Sequence, residues 1–204
     1  MRIVGGKNRG RKLALPDQAY TRPTTDRIRE AIFNILCHHP EIDLQGAYVL
    51  DAFAGSGALG LEALSRGATN VTFVEAHPKI ANILQQNLKL FPESDQLHLI
   101  ISDIRKLKKA ARAMDLVFLD PPYGKGLEFQ ALPYLVEQNW INSDTVIVYE
   151  TEVQTDIAPL LACTAVLDER RYGGTKVYLL KLKKKMRKLS VNAIRFYFCY
   201  CRAV

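Results

Sequence analysis

The densest chemistry in this chain lies at Asp120-Pro121-Pro122-Tyr123. A carboxylate precedes two prolines whose rings fix φ and restrict the residue ahead, so Asp120 and the adjoining carbonyls are held stiffly. An aromatic face follows. Acceptors at Asp120 and the Pro121 carbonyl suit the protons of an exocyclic amine, and Tyr123 suits stacking on the ring that carries it. Such an amine is a poor nucleophile because its lone pair is delocalised, and two fixed acceptors favour a more tetrahedral nitrogen. The bland alternative is a rigid turn with a packing tyrosine. What surrounds the motif decides between them.

A second constellation precedes it. Gly55-Ser56-Gly57-Ala58-Leu59-Gly60 matches G-x-G-x-x-G between a strand and a helix, a weak signal alone because several nucleotide folds use glycine there. Three carboxylates add to it. Asp51 sits inside the end of the first strand, four residues before Gly55. Glu75 ends the next, where a carboxylate can accept both ribose hydroxyls. Asp103 follows the third, within reach of an adenine amino group. Each alone is an ordinary strand-end acid; together beside the glycine loop they favour an adenosyl ligand. Phe53, Ala54, Ser56, Ala76 and Ile104, which flank these positions, join Asp51, Gly55, Gly57, Glu75, Asp103 and Asp120 in the candidate cofactor set.

The elements that must position these groups alternate along the chain. Strands are expected at 47–54, 71–75, 97–101, 114–119 and 145–149, with helices at 59–65, 78–90, 104–113 and 127–138 between them. A closing hairpin is expected at 166–172 and 176–182. This spacing implies a doubly wound, mostly parallel α/β sheet with ligands outside the strands' carboxyl ends. Ahead of it, 26–36 reads as an amphipathic helix with Ile28, Ala31, Ile32, Ile35 and Leu36 inward. Thr24 or Thr25 reads as its N-cap and Arg27 and Arg29 as solvated positions. Residues 1–20 form a basic β-hairpin arm turning at Gly5-Gly6, residues 21–185 the main domain, and 186–204 a basic, aromatic tail with no expected place in the sheet.

Composition narrows the function classes. The 204 residues are 48% hydrophobic and 24% charged, enough apolar material for a core and too much for a disordered chain. No apolar run approaches the ~20 residues of a membrane span, and the amino terminus does not read as a signal peptide. A cytoplasmic protein without membrane contact is expected. The net charge of +7 is unevenly spread: +5 over residues 1–30, −6 over 31–180 and +8 over 181–204. Basic ends on an acidic body suit a polyanion. In the arm, Arg2, Lys7, Arg9, Arg11 and Lys12 are candidate nucleic-acid contacts, with the glycines permitting close backbone approach. The four histidines and four cysteines have no metal-ligand spacing, so no metal is expected.

The chain resembles class I S-adenosylmethionine (SAM)-dependent amino-methyltransferases with a (D/N)-P-P-(Y/F) signature. More closely it resembles the bacterial RsmD family, which methylates guanine N2 in 16S ribosomal RNA. The resemblance rests on R-I-V-G-G-K-N-R-G-R-K-L at 2–13, R-P-T-T-D-R-I-R-E at 22–30, D-A-F-A-G-S-G-A-L-G-L-E-A-L-S-R-G at 51–67 and D-P-P-Y at 120–123. It implies a Rossmann-like fold with seven strands and SAM as cofactor. It implies that Arg22, Thr24, Thr25 and Arg29 lie beside the methionine end of SAM, and that Asp120, Pro121, Pro122 and Tyr123 form the catalytic motif. The expected partner is 16S rRNA, free or within small ribosomal subunit particles, and the expected state a monomer. The same motif serves N6-adenine methylation, the closest alternative. Glutamine-N5 methylation fits the basic arm and Asp120 less well. A nicotinamide oxidoreductase leaves the 120–123 motif without a role, and a catalytically dead RNA-binding module predicts RNA affinity indifferent to SAM.

Overall fold

The computed structural model describes residues 1–16, 26–122 and 124–184. Two compact units divide after Ile104. The first contains α1 (Asp26–His38), β1 (Tyr48–Asp51), α2 (Ala58–Ser65), β2 (Asn70–Glu75), α3 (Pro78–Leu88) and β3 (Leu97–Ile101). The second contains β4 (Leu116–Leu119), α4 (Glu128–Glu137), β5 (Val146–Glu152), the short α5 (Ala158–Leu161), β6 (Thr164–Tyr172) and β7 (Thr175–Leu182). The strands form one seven-stranded mixed sheet in the order β3-β2-β1-β4-β5-β7-β6. β1, β2 and β3 pair in parallel, as do β4 and β5, while β7 runs antiparallel to both β5 and β6. This is the class I methyltransferase architecture expected from the sequence.

The strands follow from their side chains. Leu116-Val117-Phe118-Leu119 is buried throughout, the continuous apolar run of a strand covered on both faces. The edge strand β6 carries Asp168, Glu169, Arg170 and Arg171, and such charges discourage pairing with another chain. Val49, Leu50, Leu61, Leu64, Val71, Phe73 and Leu84 fill the first unit's core; Val117, Phe118, Leu132, Leu135, Ile147 and Leu179 fill the second's. Pro78 opens α3 at its first turn, where its missing N–H is not needed.

Three expectations are corrected. The helix expected at 104–113 is a 3₁₀ turn, Ile104–Lys106, followed by irregular chain. A helix would stack Arg105, Lys108, Lys109 and Arg112 on one face at repelling spacings, and side chains from elsewhere in the second unit take the carbonyls it would need. In α1 the buried residues are Arg29, Ile32, Phe33 and Leu36, whereas Ile28, Ala31 and Ile35 are only half-buried. Arg29, expected in solvent, has no exposed surface. Two glycines of the arm, Gly5 and Gly6, make a close approach within the protein itself. A Cβ on Gly6 would sit 1.9 Å from the Ser65 carbonyl oxygen, and one on Gly5 would sit 2.2 Å from Arg66 Nη2. Their bareness lets this part of the arm lie against α2, while Gly10, between Arg9 and Arg11, has φ 87° and nothing within 4 Å of where its Cβ would project.

That docking is specific. Residues 1–13 double back through a single antiparallel bridge, Arg2 with Lys12. The Ile3 N–H donates to the Arg11 carbonyl and the Leu13 N–H to the Met1 carbonyl, both at 3.0 Å. Ile3 and Leu13 are core residues. The Val4 N–H donates to Glu62 Oε2 at 2.8 Å, and the Lys7 and Asn8 amides donate to the Ser65 carbonyl and hydroxyl.

Candidate active site

The glycine loop is shaped by polar groups of the first unit. Asp51, at the end of β1, is buried and accepts the Gly60 N–H through Oδ2 at 3.0 Å. It thereby pins the first turn of α2. Gly57 has φ 81°, and a Cβ there would meet Leu84 Cδ1 at 2.4 Å. Glycine is required at this position on both counts. Gly60 packs against the Phe73 ring, which a Cβ would strike at 2.4 Å. Gly55 differs: its φ is 54° and nothing lies within 4 Å of where its Cβ would project. The tight glycines shape the loop, and the open one offers the face a ligand can use.

Glu75 is the half-buried end of β2. Its Oε2 accepts the Gly55 N–H at 3.0 Å and its Oε1 the His77 N–H at 2.8 Å. Two amides fix the carboxylate without exhausting it, since each oxygen offers more than one acceptor direction. The remaining acceptor directions fit a nucleoside with vicinal hydroxyls. Asp103, half-buried, follows β3. Among the flanking candidates, Ala54 and Ile104 are buried, so their side chains belong to the core and only their main chains can face a ligand; Phe53 is half-buried and Ala76 exposed. The Ala54 N–H donates to the Val74 carbonyl, joining the loop to β2.

In the second unit, Asp120 follows β4 half-buried, Pro121 is buried and Pro122 exposed. Tyr123, Arg22, Thr24 and Thr25, and the expected tail at 186–204, lie outside the described residues. Arg29 is engaged inside the protein. Its Nη2 donates to Asp26 Oδ1 at 3.0 Å and to the Arg2 carbonyl, and its Nε lies 3.6 Å from Glu62 Oε2.

Two polar residues that shape the loop were not among the sequence candidates. Asn87 of α3 donates from Nδ2 to the Ser56 carbonyl and to the Ala14 carbonyl, each at 2.9 Å, and accepts the Ala14 N–H. It ties the glycine loop to the arm. Glu62, fully buried in α2, accepts from Val4 and pairs with Arg29 and Arg66. The signal for Glu62 was its lone charge in the otherwise apolar run Ala58-Leu59-Gly60-Leu61-Glu62-Ala63-Leu64.

Burial pushes the Asp51 carboxyl up to about 7, with the nearby Glu75 charge adding to the shift and the Gly60 hydrogen bond opposing it. Between roughly pH 4 and 7 the unfolded chain has released this proton while the folded chain still holds it. Stability from this group therefore falls as pH rises through that window and levels off above it. Each unit of displacement corresponds to ~1.4 kcal/mol. Asp51→Asn keeps an oxygen for Gly60 but cannot ionise. Urea midpoints should show the wild type losing ground to this variant from pH 4 to 7; a constant difference would remove Asp51 as the source.

A family model described as "Conserved hypothetical protein 95" matches residues 1–181. Ribosomal RNA small subunit methyltransferase D of Escherichia coli (strain K12) is 37% identical over 180 residues, 88% of either chain. This chain belongs to the RsmD family. A second RsmD relative, the Haemophilus influenzae protein with the same name, is 40% identical over 156 residues, 74% of this chain and 79% of its own. Among solved structures, the putative methyltransferase yhhF from Escherichia coli is 34% identical with a TM-score of 0.75, covering 90% of this chain and 98% of that one. Among the described residues no helix is long and apolar enough to cross a membrane, and no cluster of His, Cys, Asp or Glu could hold a metal ion.

Proposed function

We propose that this chain is a SAM-dependent methyltransferase acting on the exocyclic N2 of a guanine in 16S ribosomal RNA. The observation that carries the reading is the 37% identity, over 88% of both chains, to a ribosomal RNA small subunit methyltransferase. The glycine loop supports it, with Gly55 open and Glu75 fixed beside it. SAM supplies a methyl group made electrophilic by its sulfonium. Glu75 would hold the ribose hydroxyls, Asp103 would accept from the adenine amino group, and Gly55 would admit the ligand to the main chain. Asp120 and the Pro121 carbonyl accept the amino protons of a guanine taken out of its stack, and Tyr123 stacks on its ring. Alignment of the reacting atoms lowers the barrier more than a strong base would.

The cations of the arm divide into two groups in this reading. Lys7 is ion-paired with Glu93 at 2.8 Å, and the Arg11 guanidinium lies over the Phe91 ring. These two cations dock the arm. Arg9 and Lys12, exposed, and Arg2, exposed with its Nε 3.7 Å from Asp26 Oδ2, are the arm's contacts with RNA phosphates.

The test is labelled-methyl transfer to 16S rRNA, free and in small-subunit particles, followed by nucleoside analysis. N2-methylguanosine is expected, and N6-methyladenosine would move the reading to the adenine alternative. In calorimetry, Glu75→Ala should weaken SAM binding by roughly 1–3 kcal/mol, the scale of a lost charged hydrogen bond. Unchanged affinity in a folded variant would take Glu75 out of the cofactor site.

A further inference from the structure

Where the sequence predicts a basic helix, the second unit instead holds an irregular cationic loop in one shape. Residues 105–113 read R-K-L-K-K-A-A-R-A, five cations and no acid. Leu107 is buried, whereas Lys106, Lys108 and Lys109 on either side of it are exposed. The main chain between them is fastened from α4 and the residues just beyond it. The Tyr134 hydroxyl donates to the Leu107 carbonyl at 2.8 Å, and Trp140 Nε1 donates to the Lys108 carbonyl at 3.0 Å. Asn139 Nδ2 donates to the Ala110 carbonyl at 3.1 Å, while the Ala110 N–H donates to the Gln138 carbonyl at 2.8 Å. Asn139 reaches it from a left-handed backbone, φ 59°, which asparagine tolerates better than most residues.

We infer that this loop is a rigid phosphate-binding platform for the substrate RNA, an inference that rests on the rRNA reading above. Solubility alone would need no such fastening, because solvated lysines work equally well on a frayed loop. Fixing the main chain at Leu107, Lys108 and Ala110 removes in advance the backbone entropy that a mobile loop loses when it orders on a ligand. The chemistry suits a polyphosphate backbone. The three lysines make no ion pair among the described residues, and lysine is a compact charge for contacts that read no sequence. The loop's one large apolar side chain, Leu107, is buried, so nothing here suits insertion into a membrane.

The experiment measures binding of a 16S rRNA fragment to the full chain between 50 and 200 mM salt, alongside SAM affinity and methyl transfer. Replacing Lys106, Lys108 and Lys109 together by alanine should raise the RNA Kd about tenfold and flatten the slope of log K against log salt by about 2, three phosphates at ~0.7 each. SAM affinity and transfer at saturating RNA should stay at the wild-type level. Tyr134→Phe removes one fastening hydroxyl and no charge; it should raise the RNA Kd about threefold with the salt slope unchanged. If the wild type methylates rRNA while the triple variant keeps its Kd and slope, the platform is overturned and the proposed function stands. A wild-type Kd for Tyr134→Phe would make the lysines loose charges and overturn the rigid platform. Should the wild type neither bind nor methylate rRNA, both readings fall together.

Discussion

Asp120→Ala is expected to slow single-turnover methyl transfer by about 10²–10³-fold, the range for losing a positioned group at the reacting atom. SAM affinity should change by less than about fivefold, because the task proposed for Asp120 is at the target amine rather than at the cofactor. The carboxylate follows a fully buried strand and precedes a buried proline, so alanine there removes an acceptor from a frame that stays in place. Single-turnover conditions matter because product release would otherwise mask the chemical step. Near-normal transfer by a folded Asp120→Ala protein would defeat the assignment. The proposed stacking role gives an internal control: Tyr123→Phe should be mild, whereas Tyr123→Ala should lose a base-stacking face of about 1–3 kcal/mol.

The sheet was legible because its strands are short apolar runs ending in acids or glycines. Asp51 and Glu75 both fall on the last residue of their strands, and the 166–182 hairpin differs from its expected bounds by only a few residues. The 104–113 segment was not legible. Its Ala, Leu, Lys and Arg content favours a helix locally, but Tyr134, Asn139 and Trp140, more than twenty residues away in sequence, take the carbonyls instead. No local pattern announces a donor that distant. The arm was legible only in part. Glycine near arginine fits a phosphate grip as well as it fits a chain lying close on a helix; the Ser65 carbonyl under Gly6 gives that residue the second role, while Gly10 stays open. Arg29 shows the same limit, since an arginine on an amphipathic helix reads as solvated until its partner is found buried on another element.

That buried pair carries an asymmetry that a stability measurement can read. Glu62→Leu should cost about 3–5 kcal/mol, because it strands a fully buried guanidinium. Arg29 would keep only Asp26, whose side chain is 44% exposed, and the Arg2 carbonyl. Arg29→Met should cost less, about 1–3 kcal/mol, since Glu62 retains Arg66 at 2.9 Å and the Val4 N–H at 2.8 Å and stays compensated. Urea titrations of the two variants settle the order, and a larger loss for Arg29→Met would mean that Arg66 and Val4 do not hold the carboxylate as the distances indicate. The same network joins α1, α2 and the arm through Arg29, Glu62, Arg2 and Val4. Glu62→Leu should therefore loosen the arm, and at temperatures where the variant remains folded its RNA affinity should fall further than its SAM affinity. Equal losses of both would place Glu62 in general folding rather than in holding the arm against α2.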